Sequence, residues 1–153
     1  MEQYQTIEQI ILQCMDDIRE DVESLKGILG IDFLDIFPKS VEHKELLDKE
    51  ALKISKMIDE TSRGNFYVLN KPIKTIFGLL KIIKIRVYDE SRLNWVAAPD
   101  FAIVSYSEFE KHYKNDDRFT YIEKPVYKGL EFKTDKSLIY FLDELTTDYY
   151  KVK

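Results

Sequence analysis

One cysteine, Cys14, is all the sulfhydryl chemistry this 153-residue sequence offers. No internal disulfide can form and no cysteine-based zinc site can be built, which points to a reducing compartment. The two histidines, His43 and His112, stand far apart and neither has an i+4 partner, so a histidine metal site or a nucleophilic triad lacks its parts. Five glycines and four prolines leave no room for a low-complexity linker. A glycine-rich phosphate loop is missing too, since Gly27 and Gly30 fall at a helix end with no Lys-Ser/Thr after them. No apolar run reaches the roughly 18 residues that span a bilayer, and Met1-Glu2-Gln3 lacks the basic start of a signal peptide. A cytoplasmic protein with no membrane partner is expected.

What the sequence does contain is apolar and aromatic mass. Hydrophobic residues make up 44% and aromatics 13%, which excludes disorder, and the length suits a single domain over residues 1–153. The net charge of -5 is unevenly spread. Residues 1–63 carry 15 acids against 8 bases, whereas residues 64–153 carry 13 against 15. An acidic total argues against bulk electrostatic binding of nucleic acid but leaves room for one local basic face.

Thr6 and Gln9 form a capping-box signature, and Ile7, Ile11, Cys14, Ile18, Val22, Leu25 and Leu29 recur at helical steps as far as Gly30. The set Ile11, Met15, Ile18, Val22, Leu25 and Leu29 also fits a heptad, which offers either a core-packing face or a homodimer seam. Ile31 to Phe37, interrupted by Asp32 and Asp35, reads as a packed turn or short helix. Ser40 caps a second helix to about Asp59 with a stripe of Leu47, Ala51, Ile54 and Ile58, and Glu50 lies on the flank of that stripe. Strands follow at Phe66–Leu69 and Leu79–Tyr88, the latter apolar on one face and carrying Lys84, Arg86 and Tyr88 on the other. With Arg92 in the loop beyond, this face is a candidate for tracking a phosphate backbone. Residues 95–98 and 101–106 are apolar around Pro99-Asp100, Ser107 caps a short helix to Lys114, and Val126–Lys133 is a strand. A helix is expected over 136–145 and an edge strand over 149–152. The fold class is therefore α+β, with two N-terminal helices packed on a mainly antiparallel or mixed sheet and a C-terminal helix.

In Glu131-Phe132-Lys133, Glu131 and Lys133 share one strand face, and Asp100 is expected at the solvent-facing end of a neighbouring strand. Through Pro99-Asp100 and Glu131-Phe132-Lys133 the chain resembles the PD-(D/E)xK nuclease superfamily, whose order of helix, three strands, helix and strand is similar to the one read here. The resemblance implies a Mg²⁺- or Mn²⁺-dependent nuclease that hydrolyses DNA phosphodiester bonds. Asp100 and Glu131 would hold the metal with the Phe132 carbonyl, Glu50 would add a ligand from the first family helix, and Lys133 would orient the attacking water. The alternative is a non-enzymatic interaction module that dimerises or binds a partner through its N-terminal amphipathic helix.

Overall fold

The computed structural model describes residues 4–153. Eight strands form one mixed sheet, three helices cover one of its faces, and a single helical turn lies on the other.

The first helix, α1 (Ile7–Glu23), starts as expected. Thr6 accepts a hydrogen bond from the Gln9 amide at 3.1 Å, and the Gln9 side chain accepts one from the Thr6 amide at 2.9 Å. Its stripe of Ile7, Ile11, Met15, Ile18 and Val22 is buried against the sheet of the same chain. The helix stops at Glu23, short of the expected Leu29, because the next residues enter β1 (Ile28–Ile36).

β1 corrects the largest misreading. The segment expected as a turn or short helix is a strand inside the sheet, paired in parallel with β4 (Gly78–Arg86) and antiparallel with β5 (Ala97–Ile103). Leu34 and Ile36 face the helices while Phe33 and Asp35 face the opposite side, the alternation of a strand with different neighbours on its two faces. The acids that broke the apolar run belong to the second face and to a bulge between Ile31 and Phe33.

The second helix, α2 (Val41–Ile54), is capped by Ser40 and buries His43, Leu47 and Ala51. It ends five residues before the expected Asp59, since Ser55–Thr61 forms β2, an edge strand paired with β3 (Gly64–Thr75). Ile58, taken as the last apolar step of the helix, is exposed on that edge.

Beyond β5 come α3 (Tyr106–Tyr113), capped by Ser105 in place of the expected Ser107, and the strands β6 (Phe119–Glu123), β7 (Lys128–Lys133) and β8 (Leu138–Leu142). The expected helix over 136–145 is β8, which fits between β5 and β7. Its Leu-Ile-Tyr-Phe-Leu run packs on both sides, and a short apolar run of that kind carries no periodicity to separate strand from helix. The expected edge strand over 149–152 is replaced by the helical turn α4 (Thr146–Tyr149). The sheet order is β2-β3-β4-β1-β5-β8-β7-β6. Among the described residues no helix is long and apolar enough to cross a membrane.

The main core lies under α1, α2 and α3. Ile83 and Ile85 of β4, Phe101 of β5 and Phe141 of β8 contribute its centre, and Phe109 and Phe119 continue it under α3. With this face sealed by helices, the opposite face is where side chains can meet a ligand.

Candidate ligand-binding site

Tight backbone approaches hold the strands that build the open face. Gly64, at the start of β3, has φ 141°, and a Cβ there would collide with the Ile85 carbonyl of β4. Only glycine allows that close approach. It places Arg63, in the β2–β3 turn, beside the end of β4 where Arg86 emerges, with the Val87 amide donating to the Arg63 carbonyl at 3.0 Å. β4 then presents Lys84 and Arg86 on the open face, with Ile83 and Ile85 turned to the core.

Pro99 shapes the middle of the sheet. It has no amide hydrogen to donate, and a proline in an internal strand is tolerated only where pairing is interrupted. β5 accordingly meets β8 at Asp100 opposite Tyr140 and at an isolated bridge between Ala97 and Ser137. Asp100, expected at a solvent-facing strand end, lies within β5 and is buried, with Phe33 opposite it on one side and Tyr140 on the other.

The open face and α4 enclose a cavity of about 590 Å³. Phe33, Phe66, Tyr127, Tyr140, Tyr149 and Tyr150 give it aromatic walls. The Asp32 carboxylate fixes α4 over it, accepting from the Thr146 amide at 2.8 Å and from the Thr147 hydroxyl at 2.5 Å. The Tyr150 hydroxyl donates to Asp59 on β2 at 2.6 Å and pins the far end. Into the cavity come Arg63, Lys84, Arg86 and Arg92, with Lys124 as a further basic lining residue.

Those cations are unusually free of acid partners. The sequence has five arginines, and the two outside the cavity are ion-paired, Arg19 with Glu23 at 3.1 Å and Arg118 with Asp116 at 2.8 Å. Among the described residues, no carboxylate forms an ion pair with Arg63, Lys84, Arg86 or Arg92. Aromatic rings support two of them: Lys84 Nζ lies 4.6 Å from the Phe66 ring centroid, and the Arg86 guanidinium 5.6 Å from that of Phe37.

Two acids of the cavity, Asp100 and Asp35, are held towards their neutral forms. Burial pushes the Asp100 carboxyl well above the usual carboxylate range, and the charges of Asp35 and Asp32 push it further while Lys84 opposes them. Asp35 is also raised by burial, against the pull of Lys84, Arg86 and Arg92, and its Oδ1 is buried without a hydrogen-bond partner. Burial lowers Lys84 below an ordinary lysine, and the neighbouring Arg86 and Arg63 add to that shift. Five bases, Arg63, Lys84, Arg86, Arg92 and Lys124, line the cavity against four acids, Asp35, Asp100, Glu131 and Glu144, so its lining has a formal positive excess in a chain that is negative overall.

The sequence-derived candidates divide accordingly. Lys84, Arg86 and Arg92 do converge, whereas Tyr88 does not line the cavity. Asp100 and Glu131 both line it, but Tyr140 of β8 stands in register between them, so they are two strand spacings apart, roughly 9–10 Å at the backbone. Two ligands of one Mg²⁺ lie within about 4 Å of each other, since each sits near 2.1 Å from the ion. Lys133 is largely exposed and pairs with Glu131 at 3.7 Å. Glu50 belongs to the helical layer, where its carboxylate accepts from the Ile7 amide at 2.8 Å and caps α1, and it does not line the cavity. Among the described residues no group of three or more His, Cys, Asp or Glu is placed to hold a metal ion. Arg63, Asp35 and Tyr140 were missed as site residues. The i, i+2 spacing of Phe33 and Asp35 against Leu34 and Ile36 was the signal that would have revealed the second face of β1.

No protein-family model and no curated protein matches the chain. A solved structure described as "Structural Genomics, Protein EC4020" is similar to it with a TM-score of 0.71 and 9% sequence identity, over 100% of this chain and 98% of that one. At that identity the likeness shows a shared fold alone.

Proposed function

We propose that the protein binds a small anionic ligand with a flat apolar body in the cavity between the open sheet face and α4. The observation that carries this reading is the convergence of three of the five arginines and Lys84 on one cavity, none of them in an ion pair although Asp35 and Asp100 line the same cavity. Lys84 is buried, Arg86 and Arg92 are half-buried and Arg63 is exposed at the rim. A buried cation without an ion pair is costly, and a ligand carboxylate, sulfonate or phosphate relieves that cost with charge-assisted hydrogen bonds. Aromatic walls favour a planar body, and the volume lies in the range of roughly 300–1,000 Å³ used for small molecules. The unpartnered Oδ1 of Asp35 supplies a polar contact for orientation.

The test uses 8-anilinonaphthalene-1-sulfonate, a sulfonate on a flat aromatic body, as a fluorescent probe of the native protein. One saturable site is expected, weakened by salt and weakened at least about tenfold by Arg63→Ala or Arg86→Ala, as the loss of a hydrogen bond to a charged group implies. Binding that ignores both substitutions overturns the reading.

The competing reading is the metal-dependent nuclease acting through Asp100, Glu131 and Lys133. The strand between its two carboxylates and the capping role of Glu50 weigh against it. Plasmid nicking in Mg²⁺ or Mn²⁺ that is lost in both Asp100→Ala and Glu131→Ala would restore it. The burial of Ile18 and Val22 inside the chain weighs against the alternative, a non-enzymatic module that dimerises or binds a partner through the first helix.

A further inference from the structure

Lys84 stands apart from the other cations of the cavity. Its side chain projects from β4 between Phe66 on β3 and Asp35 on β1 and is only 9% exposed, and its ammonium rests on a ring without an ion pair. Lysines of the surface are hydrated and stay protonated, but an amine that is desolvated and crowded by two guanidinium groups gives up its proton more readily, and an unprotonated amine is a nucleophile. Asp35 and, more weakly, Asp100 oppose that shift. Lys39 is also partly desolvated, yet its amino group donates to the Leu93 and Trp95 carbonyls and does not line the cavity.

We propose that Lys84 forms an imine with an aldehyde or ketone group of the ligand, so that the site takes carbonyl compounds bearing an acidic group. This rests on the anion-site reading above. The Nζ lone pair attacks the carbonyl carbon, a C–N bond forms, and the carbonyl electron pair moves to oxygen, which takes a proton as nitrogen loses one. The C–O bond of that carbinolamine then breaks as the nitrogen lone pair forms the C=N bond and the oxygen leaves as water, with Asp35, the register neighbour of Lys84, as the proton donor; the remaining N–H proton returns to the Asp35 carboxylate. One carbonyl compound and one amine give one imine and one water, and no oxidant or reductant is needed.

Pyridoxal 5′-phosphate serves as a chemical probe because it joins an aldehyde to a flat ring and a phosphate. One equivalent is added to the native protein, the imine is reduced with borohydride, and the adduct is located by peptide mapping. Label on Lys84 is expected, at least tenfold above any exposed lysine, and reduced at least tenfold by Arg86→Ala. Lys84→Arg is expected to lose the adduct, and sulfonate binding is followed in the wild-type protein. Label spread over surface lysines, or concentrated on Lys124, overturns the proposal, and the wild-type map decides this even if a variant fails to fold. Saturable sulfonate binding without a Lys84 adduct sinks the imine alone, whereas the absence of both sinks the anion site as well.

Discussion

Replacing Asp100 with asparagine is expected to abolish much of the stability loss that the wild-type protein undergoes as pH rises. The carboxyl is buried within β5 and held well above its ordinary range by burial and by the charges of Asp35 and Asp32. An unfolded aspartate titrates near pH 3.9. Between that value and the raised folded value, the unfolded state has released its proton and the native state has not. The unfolded state then binds fewer protons, so stability falls with rising pH, by about 1.4 kcal/mol per pH unit for each acid held neutral. The effect is absent below about pH 4 and levels off once Asp100 ionises in the folded state. Asparagine has no such titration. The variant therefore carries a fixed offset from its amide, and its stability relative to wild type should climb by about 1.4 kcal/mol per unit across the window. Urea unfolding followed by the single tryptophan, Trp95, in steps from roughly pH 4.5 to 7.5 measures this. Parallel pH profiles for wild type and variant would refute the assignment of Asp100 as a buried neutral acid.

Three further outcomes follow from the same structure. Glu50→Ala should cost about 1–2 kcal/mol, as a lost cap with its favourable helix-dipole charge, and should leave binding of the anilinonaphthalene sulfonate unchanged; a changed affinity would return Glu50 to the site. Gly64→Ala should lower stability by more than about 2 kcal/mol, because the new methyl meets the Ile85 carbonyl at a φ that L residues avoid, and an unchanged thermal midpoint would contradict the packing of β3 on β4. Cys14, buried and pushed up to about 11 by that burial, should resist a thiol reagent at neutral pH until the protein unfolds, so rapid reaction in the native state would place α1 wrongly.

Much of the helical layer was legible in the sequence because caps and stripes are local. Thr6 with Gln9 and Ser40 with the following turn mark starts that the backbone obeys. Helix ends were harder. Ile58 continues the four-residue spacing of α2 by accident, and edge pairing with β3 takes over at Ser55. β1 and β8 failed for a different reason, since both lie inside the sheet and their patterns answer to two sets of neighbours. Asp32 and Asp35 look like breaks in a core segment until the other face of the sheet exists to receive them. The site suffered most from this. Asp100, Glu131, Lys84, Arg86 and Arg92 were all visible as charged residues on strands or loops, but their grouping depends on strand order. That order places β8 between Asp100 and Glu131, and it brings Arg63 from a turn to the side of Arg86.

The central claim is that Arg63, Arg86 and Arg92 act together on one anion. The side-chain Nε–H resonances of a ¹⁵N-labelled sample test it directly during titration with the anilinonaphthalene sulfonate. The account predicts that the signals of Arg63, Arg86 and Arg92 shift with one shared saturation curve while those of Arg19 and Arg118, already paired to Glu23 and Asp116, stay in place. Equal shifts at all five arginines, or movement confined to Arg19 and Arg118, would contradict it.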